Sequence, residues 1–381
     1  MSGEVGYGEA LRLLAGGAGS LAGILAPACA SVPARDPVVY LADFSGRLLV
    51  PLAAGLPAED VTGTVPGRVF STGQPVTSDR DGQVRVWVPV MDASTRTGVL
   101  AVTVTEPGPD VTGRAELLGI FAGLAAAALL RVSDTAGVAR HGRAISLPAS
   151  MQWDLLPPSS RRLDGAVIAG MLEPAYEIAG DAFDYATAAR VLHFAVLDGM
   201  GHGLGSTLLT GLAVGAYRHA RRDGAALPDI HQAIDRTLAG YYDDSFVTAI
   251  LAALDTSIGR LEWTRAGHPP PLLLRGRKVT GELDCPATVP FGLGTGTPAL
   301  GSCDLEPGDA VLLYTDGVTE ARTPAGELFG LDRLADLLER EAASGQPPQE
   351  LIQRLVRAVL DHQGARLRDD ATVLLVQWTG P

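Results

Sequence analysis

Four apolar runs beyond residue 160 meet aspartates at their ends. GAVIAGMLEPAYEIAGDAFDYA places Asp181 after a strand-like run and Gly180, and VLHFAVLDGMGHG places Asp198 at a strand end. DAVLLYTDGVTEA places Asp316 after VLLYT, and RLRDDATVLLVQW places Asp369 and Asp370 at the entrance of TVLLV. A carboxylate at the mouth of a buried strand is costly unless something pairs with it. Taken singly, Asp-Gly after a strand reads as a turn, and Asp-Asp before a strand reads as a solvated loop. Taken together they need a joint account, because strand ends of one core converge in space. Mg²⁺ takes oxygen ligands and keeps several waters, and Mn²⁺ suits carboxylate and water equally. With few His and no Cys beside these aspartates, zinc fits less well. Two cations about 3.5–4 Å apart would use such a set to acidify a bridging water for attack on phosphorus and to neutralise phosphoryl charge. No Ser or Cys nucleophile competes: GLGSTLLTG at 203–211 fails the G-x-S-x-G pattern.

The elements that must position these residues follow from the rest of the chain. Its 381 residues suggest two domains, and 46% apolar content is ample for their cores. A net charge of −13, with a pI near 5, argues against a general nucleic-acid binder. Nearly all positive charge is arginine, with Lys278 the single lysine. Cys29, Cys285 and Cys303 show no zinc or CxxC spacing, which suits a reducing, cytoplasmic setting. The N-terminus lacks the basic segment of a signal peptide. The longest apolar run, Leu117 to Leu130, falls short of the roughly 20 residues of a membrane span.

Residues 7–30 read as one Ala/Leu-rich helix. DPVVYLADFSGRLLVPLA reads as two strands turning at Ser45-Gly46, and VPGRVFSTGQPV as a short helix and turn. Gln83–Asp92 and Thr97–Glu106 alternate like half-buried strands. An apolar helix over 114–133 closes an α+β module of residues 1–133. In order and pattern, VVYLADFSGRLLVPL, GRVFSTGQPV and RVWVPVMDASTRTGVLAVTV resemble a GAF sensor domain. A purely structural or dimerising module fits the same pattern. Residues 134–160 read as a helical linker in which MQWDLLPP forms a short amphipathic helix stopped by Pro157-Pro158. Strands alternating with two helical pairs then make a second domain, 161–379.

EIAGDAFDYA, VLDGMGHG, FVTAILAALD, RAGHPPPLLL, LLYTDGVTEA and RDDATVLLV occur in the order expected of PPM phosphatases. The resemblance is to the bacterial stage-II-sporulation-E/RsbU-like branch, related to PP2C, and covers 145–379. It implies a β-sandwich flanked by α-helices. It implies two Mn²⁺ or Mg²⁺ ions held by Asp181, Asp198, the Gly199 carbonyl, Asp316 and Asp369. It also implies hydrolysis of phosphoserine or phosphothreonine in a partner protein, typically a STAS-domain anti-sigma-factor antagonist. Control by the N-terminal module and homodimerisation through the apolar helix are expected from the layout.

The pattern departs from the family at several points. Gly-Gly-Asp is Ala179-Gly180-Asp181 here, and where PP2C has a His two residues after the equivalent of Asp198, this chain has Met200. The general acid is therefore unassigned. His202 is a candidate, with loop packing the plainer reading. Asp184 matches the family's second acidic position in the first motif and is read as supporting the metal ligands from behind, with a plain turn residue as the alternative. Asp370 is set aside in favour of Asp369 as ligand. His268 reads as a packed loop residue, and Arg265 as a phosphate contact or a solvated strand residue. The competing function is a pseudophosphatase or sensor that binds a regulatory partner without catalysis.

Overall fold

The computed structural model describes all residues except Met1, 17–19, Ser31, Asp81, 93–94, 131–143, 174–179, 242–244 and 365–368. The chain divides into two compact units, Met1–Ala144 and Ile145–Pro381.

The first unit is built on one antiparallel sheet. Its strands are β1 (Ala34–Ala42), β2 (Leu48–Pro51), β3 (Glu59–Asp60), β4 (Val76–Arg80), β5 (Gln83–Asp92) and β6 (Thr95–Val104), in the order β3-β2-β1-β6-β5-β4. The expected turn at Ser45-Gly46 forms, with the Asp43 carboxylate accepting from Ser45 Oγ and from the Arg47 and Leu48 amides. The single helix expected over 7–30 is instead two, α1 (Ser2–Ala15) and α2 (Leu21–Cys29). Glycine interrupts the pattern at Gly16, and Ser20 starts a new helix by accepting from the Gly23 amide. The short helix α3 (Val65–Thr72) is capped by Thr64 and ends at Gly73, whose φ of 69° suits glycine.

The long apolar run lies within α4 (Pro109–Leu130), a helix of 22 residues, longer than the run itself suggested. By length and composition α4 could cross a bilayer. Ala115, Leu118, Ala122 and Ala125 nevertheless pack with Leu25, Val88 and Leu100 in one core. Tyr40, Trp87, Phe70 and Val69 form a second cluster beneath α3.

The second unit is a sandwich of two antiparallel sheets. One has the order β15-β12-β11-β10-β9 and the other β14-β13-β16-β17-β8-β7. The first contains β9 (Asp181–Ala188), β10 (Val191–Gly199), β11 (Val247–Asp255), β12 (Arg260–Ala266) and β15 (Gly301–Asp304). The second contains β7 (Ser160–Leu163), β8 (Ala166–Glu173), β13 (Leu272–Arg275), β14 (Lys278–Glu282), β16 (Ala310–Tyr314) and β17 (Ala371–Trp378).

Helix α5 (Leu147–Leu155) falls in the segment read as linker and belongs to this unit. It is followed by α6 (Leu204–Arg222), α7 (Leu227–Ala239), the short α8 (Asp316–Thr319), α9 (Leu331–Ala343) and α10 (Pro348–His362).

The central strands are near-continuous apolar runs because both of their faces are buried. Phe194 and Val196 of β10 point between the sheets, while Ala195 and Leu197 pack under α6 and α7. Leu374 and Val376 of β17 share the inter-sheet core, while Val373 and Leu375 pack under α9 and α10. The result is the helix-flanked β-sandwich that the resemblance implied.

Candidate metal centre

The aspartates stand at the strand ends where the two sheets meet. Asp181 opens β9 and lies directly opposite Asp198 of β10 in the antiparallel register. Asp316 follows β16 by two residues and opens α8 rather than closing a hairpin turn. Asp369 and Asp370 precede β17. Glycine makes these approaches feasible. A Cβ on Gly199 would stand 2.3 Å from Thr210 Oγ1, and one on Gly317 would stand 1.9 Å from the Asp370 carbonyl oxygen.

Each carboxyl has a distinct setting. Asp181 is 2% exposed, and its Oδ2 accepts from Thr315 Oγ1 at 2.8 Å. Thr315 also accepts from the Thr372 amide at 3.0 Å, so one hydroxyl of the second sheet fixes an acid of the first. Gln152 of α5 donates to the Asp181 carbonyl. The Gly180 carbonyl accepts from Thr210 Oγ1 at 2.5 Å, and the Gly199 carbonyl accepts from Ser206 Oγ at 2.8 Å. Asp369 is exposed, and its Oδ1 accepts from the Asp370 amide at 3.0 Å.

The electrostatics are those of acids gathered without counter-charge. Burial, then the charges of Asp198 and Asp370, push the Asp181 carboxyl well above the usual range. Burial, then Asp316 and Asp369, push Asp198 up to about 7. Asp316 is raised by burial, Asp369 and Glu320. Asp370 is raised to about 7, chiefly by burial. Among the described residues, no arginine or lysine is a main influence on any of these four. Like charges at close quarters disfavour ionisation unless a cation joins them.

The residues fit a hard divalent cation on three observations. The donors are all oxygen. Asp370 Oδ1 is buried without a hydrogen-bond partner. The acids also raise one another's proton affinity, which a cation would reverse. As placed, no three His, Cys, Asp or Glu side chains among the described residues stand in joint reach of one ion.

The other residues singled out in the sequence fall elsewhere. Asp370 Oδ2 accepts from the Asp181 amide at 3.2 Å, so it ties β9 to the start of β17. Asp184 is not a turn residue. It lies within β9, 2% exposed, bonded to Arg218 at 2.8 Å and Arg221 at 3.0 Å. Arg218 also donates to the Leu155 carbonyl of α5. Arg265 holds the Cys285 and His268 carbonyls and Asp284, so it is neither free for phosphate nor simply solvated. His202 lies exposed on the loop after Asp198, and Ala179 lies outside the described residues.

Thr315 and Gln152 escaped the sequence reading. A threonine directly before Asp316 and a lone amide inside an apolar helix were the available signals.

The family model for stage II sporulation protein E (SpoIIE) matches residues 188–379, about half of the chain. Protein IcfG of Synechocystis sp. is 25% identical over 256 residues, covering 59% of this chain and 40% of IcfG. Phosphoserine phosphatase RsbU of Bacillus subtilis is 25% identical over 236 residues, covering 61% of this chain and 69% of RsbU. Among solved structures, the RsbU and RsbW domains of a Mycobacterium tuberculosis protein align at 29% identity and a TM-score of 0.51. That alignment covers 58% of this chain and 63% of the other. The chain thus spans less than half the length of IcfG and about two thirds that of RsbU.

Proposed function

The chain belongs to the SpoIIE family of PP2C-type serine/threonine phosphatases, and on that premise we propose that it hydrolyses phosphoserine or phosphothreonine in a signalling protein with the help of two Mn²⁺ or Mg²⁺ ions. The observation that carries this reading is the set of mutually destabilised carboxyls at the junction of the two sheets, with no cationic side chain among their main influences. Asp181, Asp198, the Gly199 carbonyl, Asp316 and Asp369 would hold the ions. When bound, such ions acidify a water and offset phosphoryl charge. The chain's own residues do the positioning. Thr315 orients Asp181, Asp370 fixes the start of β9, and Ser206 and Thr210 hold the two carbonyls beside them.

A STAS-domain anti-sigma-factor antagonist is the proposed class of substrate. The first unit is proposed to act as a GAF-like sensor and homodimerisation module, which its six-stranded antiparallel sheet supports. Control would reach the site through α5, whose Gln152 holds the Asp181 backbone. A cytoplasmic location follows from such a substrate.

The test is hydrolysis of p-nitrophenyl phosphate with Mn²⁺, with Mg²⁺ and with chelator, beside Asp198→Asn. Activity that needs metal and disappears in the variant supports the reading. Absence of both activity and calorimetric metal binding would overturn it in favour of a non-catalytic binding protein.

A further inference from the structure

His268 is buried at 3% exposure on the loop after β12, and its two ring nitrogens reach different sheets. Nδ1 lies 2.8 Å from Thr248 Oγ1, and Nε2 lies 3.1 Å from the Tyr314 carbonyl oxygen. Thr248 belongs to β11 and is the register partner of Asp198. Tyr314 ends β16, two residues before Asp316. A carbonyl oxygen only accepts, so Nε2 carries the proton and donates, while Nδ1 accepts from the threonine hydroxyl. The ring is thus neutral with both nitrogens satisfied. Burial, reinforced by the nearby Arg265 charge, pushes its pKa down to about 3, which keeps it so. Its backbone is held as well: Arg265 Nη1 donates to the His268 carbonyl at 2.9 Å. Gly267 turns the chain at φ 61°, where a Cβ would stand 2.7 Å from Pro290 Cγ.

We propose that His268 is a positioning residue that clips the strand neighbouring Asp198 to the strand end carrying Asp316, and so sets the spacing of two carboxylates contributed by different sheets. The inference rests on the metal-centre reading above. Hydrogen bonds made behind a ligand typically govern metal affinity by 10–100-fold. His268 would act at one remove further, through the backbone frames of both acids. A second buried histidine provides a control. His231 also bridges two threonines, Thr264 and Thr288, at 3.1 Å each, but neither is a strand partner or near sequence neighbour of the acids.

The experiment measures Mn²⁺ affinity by calorimetry and thermal stability on the full chain, for wild type, His268→Ala, His268→Gln, His268→Asn and His231→Gln. A glutamine amide reaches the Nε2 position and keeps the bond to Tyr314, whereas asparagine reaches only the Nδ1 position. We expect affinity to fall about 10-fold or more in His268→Ala and His268→Asn. His268→Gln keeps the Tyr314 end and opens the Thr248 end, so it should lose affinity several-fold, less than His268→Ala, and His231→Gln should lose stability but not affinity. Wild-type affinity in the Ala or Asn variant overturns the proposal. So does an equal affinity loss in His231→Gln at matched stability. If His268→Ala does not fold, the Gln and Asn pair decides. If wild type binds no Mn²⁺, the metal-centre reading itself fails. Then ¹⁵N imidazole shifts decide whether the clip exists: an Nδ1–H or charged ring at pH 7 overturns it, and a neutral Nε2–H ring upholds it.

Discussion

Thr315 directly follows β16 of one sheet and Asp181 opens β9 of the other, and Thr315 Oγ1 donates to Asp181 Oδ2 at 2.8 Å. The same hydroxyl accepts from the Thr372 amide. One side chain thereby joins the starts of β9 and β17 to the end of β16.

Thr315→Val keeps the shape and removes the hydroxyl. The buried Thr372 amide and Asp181 Oδ2 both lose a partner, which costs about 1–3 kcal/mol. Thermal denaturation should show that loss. Mn²⁺ titration should show affinity reduced about 10-fold, because Asp181 is no longer oriented. Thr315→Ser should restore most of both.

Two glycines at the site differ in what their missing side chains avoid. At Gly199 the nearest obstacle is the Thr210 side chain, and at Gly317 it is the Asp370 backbone. Gly199→Ala should therefore cost about 1–3 kcal/mol and be partly rescued by Thr210→Ala. Gly317→Ala has no side chain to yield and should be worse, with no rescue by second-site truncation. Chemical denaturation of Gly199→Ala, of its combination with Thr210→Ala and of Gly317→Ala checks the order.

The raised carboxyls give stability a definite pH dependence. Asp198 titrates near 7 in the folded protein, above its value in the unfolded chain. Between these values the folded state binds more protons, so this group's contribution is full at low pH and is lost as pH rises toward 7. His231, lowered to about 4 by burial, contributes in the opposite sense over an overlapping window. A difference measurement cancels the histidine and reports Asp198 together with the shift its charge imposes on Asp181. In chelator, Asp198→Asn should match wild type near pH 4 and gain on it by at most about 1.4 kcal/mol for each pH unit up to 7. A constant difference across that range would contradict the assignment.

Asp184 is buried between Arg221, also buried, and the partly exposed Arg218, which anchors α5 through its bond to the Leu155 carbonyl. Removing one partner of a buried ion pair costs about 3–5 kcal/mol. Asp184→Ala should destabilise by that order. Arg218→Met should mainly free α5, seen as faster hydrogen exchange over Leu147–Leu155.

The strands of the sandwich were legible because burial on both faces writes them as apolar runs, and each acid was visible as a polar stop at the end of one. The break between α1 and α2 was not, because Ala, Leu and Gly continue through it and the capping Ser20 acts only locally. The turn reading of Asp184 fails because the residue lies within β9 and its partners lie 34 and 37 residues away on α6. Asp370 was set aside although its carboxylate ties down β9, and nothing in Asp-Asp says which of the pair faces inward. Thr315, Gln152 and His268 act across sheets and helices, and no local pattern encodes such contacts.

The pairing of β8 with β17 joins residues 166–173 to residues 371–378. A chain still emerging from the ribosome has made Asp181, Asp198 and Asp316 long before the strand that brings Asp369 and Asp370 beside them. Synthesis of β17 is what gathers them, so no product truncated before it carries the whole centre. The strand that carries Asp369 and Asp370 at its entrance is also the one that lies between β16 and β8 and completes the second sheet.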